Sequence, residues 1–220
     1  EIAGTFGDGA KEYQAAREGV ALLDRSYVGR LSFTGEDALD LLNRLSTNEL
    51  MTLEEGRGTA TVLTSNKGRI LDVLVVLKLS DRLMVLTAPQ SRKKVAEWID
   101  FYTFVEDIVL QDVTEEMAMI SVAGPKAAQF LSGLDGVDAA SMGRYDSTQI
   151  SIGGVDASVF RTDFVGPRAY DLLVPAADGP RLWDELSSQG EKSGLRRVGL
   201  EALEAVRVEQ GVPAYGRELT

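Results

Sequence analysis

An α+β fold built from two similar halves with antiparallel sheets is the prediction from this sequence, and three observations carry it. First, residues 31–45 (LSFTGEDALDLLNRL) recur in outline at 120–134 (ISVAGPKAAQFLSGL). At a constant offset of 89, Ser32, Gly35, Ala38, Leu42 and Leu45 reappear as Ser121, Gly124, Ala127, Leu131 and Leu134. Second, each copy is followed by three strand-like apolar runs separated by turn residues. Third, each run of strands is followed by an amphipathic helix. Hairpin-linked strands with helices between them belong to α+β architecture.

The elements follow in order. Each repeat copy reads as a short strand, a glycine turn and a helix. Its apolar series is Ala38, Leu41, Leu42, Leu45 in the first copy and Ala127, Phe130, Leu131, Leu134 in the second. That spacing is the i, i+3, i+4, i+7 stripe of a helix with one buried face. Glu36 and Asp37 favour the first helix start electrostatically, and Pro125 suits the first turn of the second. Strands are expected at 59–64, 70–79 and 83–87, with turns at Asn66-Lys67-Gly68 and Ser80-Asp81-Arg82. A helix presenting Val95, Trp98, Ile99 and Tyr102 on one face ends the first half. In the second, strands at 149–152, 156–161 and 170–174 are separated by Gly153-Gly154 and Val165-Gly166-Pro167, and a helix at 180–188 follows. The two repeats thus span about 28–107 and 117–190. An amphipathic helix at 195–210, stopped by Gly211 with Pro213 beyond, completes the domain. Duplicated halves commonly leave a cleft for a ligand between them.

Composition removes several chemistries. The 220 residues include no His and no Cys, with 34 Asp and Glu against 23 Lys and Arg. No imidazole base, thiolate nucleophile, disulfide or Cys/His metal site is available from this chain, and no metal site is expected. A net charge of −11 argues against non-specific nucleic-acid binding and against anionic membranes. The longest apolar run, Val73–Leu77, is too short to span a bilayer, and no secretory h-region opens the chain. A cytoplasmic location is expected, in a chain that starts at Glu1 as a processed or trimmed product would.

Few motifs carry chemistry. Gly56-Arg57-Gly58 lacks the third glycine of a dinucleotide fingerprint, and no phosphate-binding P-loop occurs. Ser91-Arg92-Lys93-Lys94 has the S-x-x-K spacing, without the partner motifs of a serine acyl-transferring enzyme and at the start of an ordinary helix. Asp72 stands out because it interrupts an apolar strand, where an ionised carboxylate is costly unless partnered. It either ties down the Asn66–Arg69 turn or pairs with a local Arg, or it faces the cleft as a functional acid. Asp171 is a second carboxylate entering an apolar strand. It serves either as a strand-end acid or as the acceptor of two parallel hydrogen bonds from an amidine-like edge. Glu204 and Arg207, three apart on the last helix, have the spacing of a surface ion pair.

Several segments in this order resemble the folate-binding proteins related to aminomethyltransferase, the T-protein of the glycine cleavage system, and among them the YgfZ-type branch. They are Gly19-Val20-Ala21-Leu22-Leu23-Asp24-Arg25-Ser26, Leu45-Ser46-Thr47-Asn48, Lys67-Gly68-Arg69-Ile70-Leu71-Asp72 and Val122-Ala123-Gly124-Pro125-Lys126-Ala127. Arg161-Thr162-Asp163-Phe164-Val165-Gly166 and Arg207-Val208-Glu209-Gln210-Gly211-Val212-Pro213-Ala214-Tyr215-Gly216 continue the series. The resemblance implies a tetrahydrofolate cleft between two similar halves. It places the T-protein's catalytic Asp pair on Asp72 and Val73, so the second acid, which acts near the folate N10, is missing. The acid that holds the pterin edge falls on Asp171, one methylene shorter than the family Glu. Phe164 replaces a tyrosine, and Leu203-Glu204 replaces an Arg-Asp pair. Arg207, Glu209, Tyr215 and Gly216 match.

On that resemblance, Asp171 reads the pterin, Phe164 and Tyr215 give aromatic contact, Asp72 lines the cleft as the candidate catalytic acid, and Arg161 or Arg207 steadies the site or meets the folate glutamate. The function implied is tetrahydrofolate binding in one-carbon or iron–sulfur cluster metabolism, with a protein partner there, short of full T-protein catalysis. An active aminomethyl- or methyltransferase using Asp72, and a non-enzymatic scaffold that has lost the ligand, are the two alternatives. The branch's Lys-Gly-Cys-Tyr segment and the family's C-terminal barrel would lie beyond Thr220.

Overall fold

The computed structural model describes residues 2–135, 137–162, 164 and 168–219. In chain order the elements are α1 (Gly9–Glu18), β1 (Ala21–Asp24), β2 (Gly29–Thr34), α2 (Ala38–Leu45), β3 (Arg57–Thr64), β4 (Ile70–Lys78), β5 (Leu83–Thr87), α3 (Arg92–Phe101) and β6 (Val109–Asp112). They continue with β7 (Met117–Ala123), α4 (Ala127–Asp135), β8 (Ser147–Ile152), β9 (Val155–Thr162), β10 (Ala169–Pro175), α5 (Gly179–Gly190), β11 (Arg196–Arg197) and α6 (Leu200–Glu209). No helix among the described residues is long and apolar enough to cross a membrane.

The chain divides into two compact units, one of Glu1–Tyr27 with Glu116–Pro213 and one of Val28–Glu115 with Ala214–Thr220. Four strands of each sheet share a topology. The second unit orders its strands β3-β4-β5-β2-β6, and the first orders β8-β9-β10-β7-β1, with β11 added beyond β1. In each, a three-strand meander ends against the strand that precedes it in the chain. Among the described strands every pairing is antiparallel except that of β1 with β11. Alternation along the strands assigns the two faces of each sheet. In the second unit one face packs Leu74, Val76, Leu31 and Phe33 against Leu41 and Leu42 of α2 and Val95 and Ile99 of α3. In the first, Ile120, Val122, Tyr170 and Leu172 pack against α4 and α5. The opposite face of that sheet, with Leu23, Ala123 and Ala169, is covered by Ala16 of α1 and by Ala202, Leu203 and Val206 of α6.

The repeated glycine has a specific task. Gly35 has φ +106° and Gly124 φ +109°, and each turns the chain from a strand into a helix. The backbone of Asp107 packs directly on Gly35, and a Cβ at Gly124 would stand 2.6 Å from the Gly19 carbonyl oxygen. Both requirements, a left-handed φ and no side chain, select glycine.

The final helix is shorter than its periodicity suggests. It begins at Leu200, and residues 196–198 run instead beside β1. There the Arg196 and Val198 N–H groups donate to the Val20 and Leu22 carbonyls at 3.0 and 2.9 Å. Gly199 makes the break, because the Gly4 backbone lies against it where a side chain would be. Buried Glu12 anchors this corner, accepting from the Gly199 N–H at 2.9 Å, the Thr5 hydroxyl at 2.8 Å and the Phe6 N–H at 2.6 Å. The expected turn at Val165-Gly166-Pro167 lies outside the described residues, as does Asp163.

Gly124→Ala is expected to cost about 2 kcal/mol or more in urea unfolding, through strained φ and the blocked approach. Gly133→Ala, in α4 with open space around it, should instead gain about 0.5–1 kcal/mol. Equal midpoint shifts in the two variants would contradict this account of the turn.

Candidate functional site

Asp171 lies in the middle of β10, opposite Ser121 on β7. Its side chain is fully buried. It shares a face with Leu23 and Ala169, the face that α1 and α6 cover. A carboxylate there needs a cation or several donors. Arg25, one residue beyond β1, supplies the cation: its Nη1 donates to both Asp171 oxygens, at 2.8 and 2.6 Å. The Ser121 hydroxyl donates to the same Oδ1. The Arg25 backbone is itself fixed by its N–H to the Met119 carbonyl, 2.9 Å. Its guanidinium lies over the Phe164 ring at 4.4 Å from the centroid, a cation–π arrangement. Burial opposes the Arg25 charge, but the facing Asp171 carboxylate and a hydrogen bond with Tyr27 outweigh it and hold the group above the ordinary arginine range. The Arg25 Nε is buried without an acceptor.

Asp72 is equally buried, on the helix-covered face of β4 with Leu74 and Val76. It neither holds the Asn66–Arg69 turn nor pairs with an arginine. Its Oδ1 accepts from the Val73 N–H at 2.8 Å, and its Oδ2 from the Ala88 N–H at 2.9 Å and from the Ser91 hydroxyl. The Ala88 and Ser91 donors lie at the entry to α3, so Asp72 ties β4 to that helix start, where a negative charge is favoured. Burial nevertheless dominates, and Asp72 titrates above the usual carboxylate range despite the Ser91, Ala88 and Val73 hydrogen bonds. The S-x-x-K spacing dissolves here too: Ser91 is spent on Asp72 while Lys94 is exposed.

The remaining candidates are dispersed. Phe164 joins Asp171 through Arg25. Arg161 pairs in register with Tyr170, so it projects from the opposite face of the sheet, where its Nη1 donates to the Met142 carbonyl at 2.9 Å. Arg207 is buried rather than on the surface, and its guanidinium donates to both Glu204 oxygens and to the Val212 carbonyl, closing the end of α6. Tyr215 belongs to the second unit, where its carbonyl accepts from the Gln90 amide at 2.5 Å. A groove of about 450 Å³ in the first unit is lined by Phe6, Trp183, Asp24 and Ser26. Asp171, Arg25 and Phe164 do not line it. Among the described residues no group of three Asp or Glu side chains is placed to hold a metal ion. The residue that sequence reasoning missed is Arg25, and its signal was present: a carboxylate inside an apolar strand calls for a cation, and Arg25 directly follows an apolar strand.

Two expectations follow. Asp171→Ala alone, which strands a buried guanidinium, should cost about 3–5 kcal/mol, whereas Arg25→Met with Asp171→Ala should cost far less than the two single changes added together. Additive losses would contradict a coupled pair. For Asp72, the raised folded pKa means that its contribution is full below the unfolded pKa and is lost as pH rises through the folded value. The stability of Asp72→Asn relative to wild type should therefore improve with rising pH across that window in urea titrations. A pH-independent difference would contradict the assignment.

The GCVT N-terminal domain family matches residues 4–220. Aminomethyltransferases of Streptomyces avermitilis and Corynebacterium aurimucosum are 31% and 32% identical over 218 and 216 residues, covering 98% and 96% of this chain and 58% of each relative. The chain thus spans less than three-fifths of their length. Among solved structures, glycine cleavage system aminomethyltransferase T from Bartonella henselae superposes with a TM-score of 0.80 at 20% identity, over 96% of this chain and 56% of that one. The heterotetrameric sarcosine oxidase of Corynebacterium sp. U-96 gives 0.58 at 16% identity over 87% of this chain and 95% of that one. The α+β fold is that of the aminomethyltransferase T-protein, and the chain belongs to the GCVT N-terminal domain family.

Proposed function

We propose that this protein binds tetrahydrofolate and works in one-carbon or iron–sulfur cluster metabolism, in the cytoplasm, without the full catalysis of a T-protein, and that it stands nearer the YgfZ-type branch. Membership of the family makes folate the ligand to test. The observation that carries the reading is the cradle of Asp171 and Phe164, which already holds a planar, amidine-like group, the Arg25 guanidinium, by its edge and by its face. The 2-amino-pyrimidinone edge of a pterin offers the same pattern of donors on a flat ring. The cradle therefore fits the cofactor's chemistry. Asp171 would accept from the ring edge, Phe164 would stack on it, and Ser121 would keep the carboxylate oriented. Bound folate would supply the carrier for the one-carbon unit.

Catalysis by Asp72 is not favoured by its surroundings. Both of its oxygens are committed to Val73, Ala88 and Ser91, and it has no exposed surface. Val73 stands where the T-protein has its second acid. The scaffold reading has one observation in its favour: Asp171 is completely buried, and Leu203 packs with Leu23 and Ala169 on the same face of the sheet.

Calorimetric titration of the intact protein with tetrahydrofolate separates these readings. One-to-one binding that Asp171→Ala weakens at least about tenfold, the loss of one charge-assisted hydrogen bond, supports the folate reading. No heat of binding would leave the scaffold. Glycine-cleavage turnover that Asp72→Asn abolishes would establish the transferase instead.

A further inference from the structure

We propose that Arg25 is a displaceable occupant of the Asp171 seat, so that a flat amidine-bearing ligand binds only by driving the Arg25 guanidinium off the carboxylate. The inference rests on the folate reading for the identity of the ligand, and on the geometry of the pair for the displacement.

Arg25 fills the seat imperfectly. A guanidinium usually meets a carboxylate as a fork, with two nitrogens on two oxygens. Here one nitrogen, Nη1, straddles both Asp171 oxygens at 2.8 and 2.6 Å. The Nε–H is buried with no acceptor, which costs free energy in the closed pair. The broad face is spent on the Phe164 ring. Arg25 thereby satisfies the carboxylate with one of its three nitrogens and leaves a buried donor unanswered.

A ring carrying an amino group beside a ring N–H presents two parallel donors, one for each oxygen of Asp171, and a face for Phe164. The contacts that Arg25 makes with Asp171 and Phe164 are the contacts such a ring needs, so the two occupants are mutually exclusive. Leaving the seat also frees the Nε–H to reach water. The apparent affinity of the ligand is then its intrinsic affinity reduced by the small fraction of molecules in which Arg25 is away. Arg25 is thus a positioning residue: it keeps the carboxylate partnered and aimed while the seat is empty of ligand, and it sets the threshold for binding.

The experiment compares the intact protein with Arg25→Ala, using tetrahydrofolate and two small probes, millimolar guanidinium chloride and 2-amino-4-pyrimidinone. Arg25→Ala should bind tetrahydrofolate at least about tenfold more tightly than wild type and should be stabilised thermally by both probes, which leave wild type unmoved. Probe binding by Arg25→Ala with no tetrahydrofolate binding by either protein would uphold the seat and remove folate as its ligand. Tetrahydrofolate binding by wild type that Arg25→Ala weakens or leaves unchanged would overturn displacement while keeping folate. No binding of any probe by Arg25→Ala would overturn the seat itself. Should Arg25→Ala fail to fold, the side-chain Nε–H resonance of Arg25 in wild type reads the same event. It should move toward the position of a solvent-exposed arginine as ligand saturates, and an unmoved resonance at saturation would overturn the proposal.

Discussion

A carboxylate buried at the centre of a sheet constrains the first unit more than any other feature. Asp171 has no exposed surface, and a negative charge in that position demands donors that the strand itself cannot give. The strand order answers the demand. Placing β7 between β1 and β10 sets Ser121 directly opposite Asp171 and delivers Arg25, at the end of β1, to the carboxylate from the far side. A residue 146 positions away in the chain thus neutralises Asp171. The helices α1 and α6 then close the face with small and apolar side chains, and Phe164 covers the guanidinium.

The second unit meets the same problem with a different solution. Asp72 is as deeply buried as Asp171, yet among the described residues no arginine is hydrogen-bonded to it. The Val73 N–H on its own strand receives it, together with the Ala88 N–H and the Ser91 hydroxyl at the entry to α3. Partial charges at a helix start stabilise a carboxylate less completely than a full cation in contact, which agrees with the upward shift of Asp72. The difference bears on chemistry. The Asp72 arrangement is a structural anchor with each oxygen in use. The Asp171 arrangement holds a planar cation, the Arg25 guanidinium, beside an aromatic face.

Much of the architecture was legible in the sequence, because it rests on local patterns. The three strands of each meander fall where alternating apolar runs and turn residues put them, and Leu83–Thr87 agrees to the residue. The recurrent glycines at 35 and 124 mark the same strand-to-helix turn, with φ values 3° apart. Short elements escaped: β1 and β6 have four residues each and β11 only two, too few for a period to register. Leu195–Val198 continued the helical periodicity of α6 and still became extended, because β1 offered open carbonyls and Gly199 had to meet the Gly4 backbone. The site was legible only in part. Asp171 and Asp72 announced themselves as acids in apolar strands, but their partners are distant or are backbone groups, which no local pattern encodes. Arg161 shows the same limit: one residue of register decides that it lies on the opposite face from Asp171.

Ligand binding at this site therefore turns on whether Asp171 exchanges one planar partner for another. A crystal structure of the intact protein grown with tetrahydrofolate tests this most directly. The account predicts the pterin edge on both Asp171 oxygens, its ring against Phe164, and the Arg25 guanidinium withdrawn from the carboxylate. Tetrahydrofolate bound elsewhere, with Arg25 still on Asp171, would contradict it.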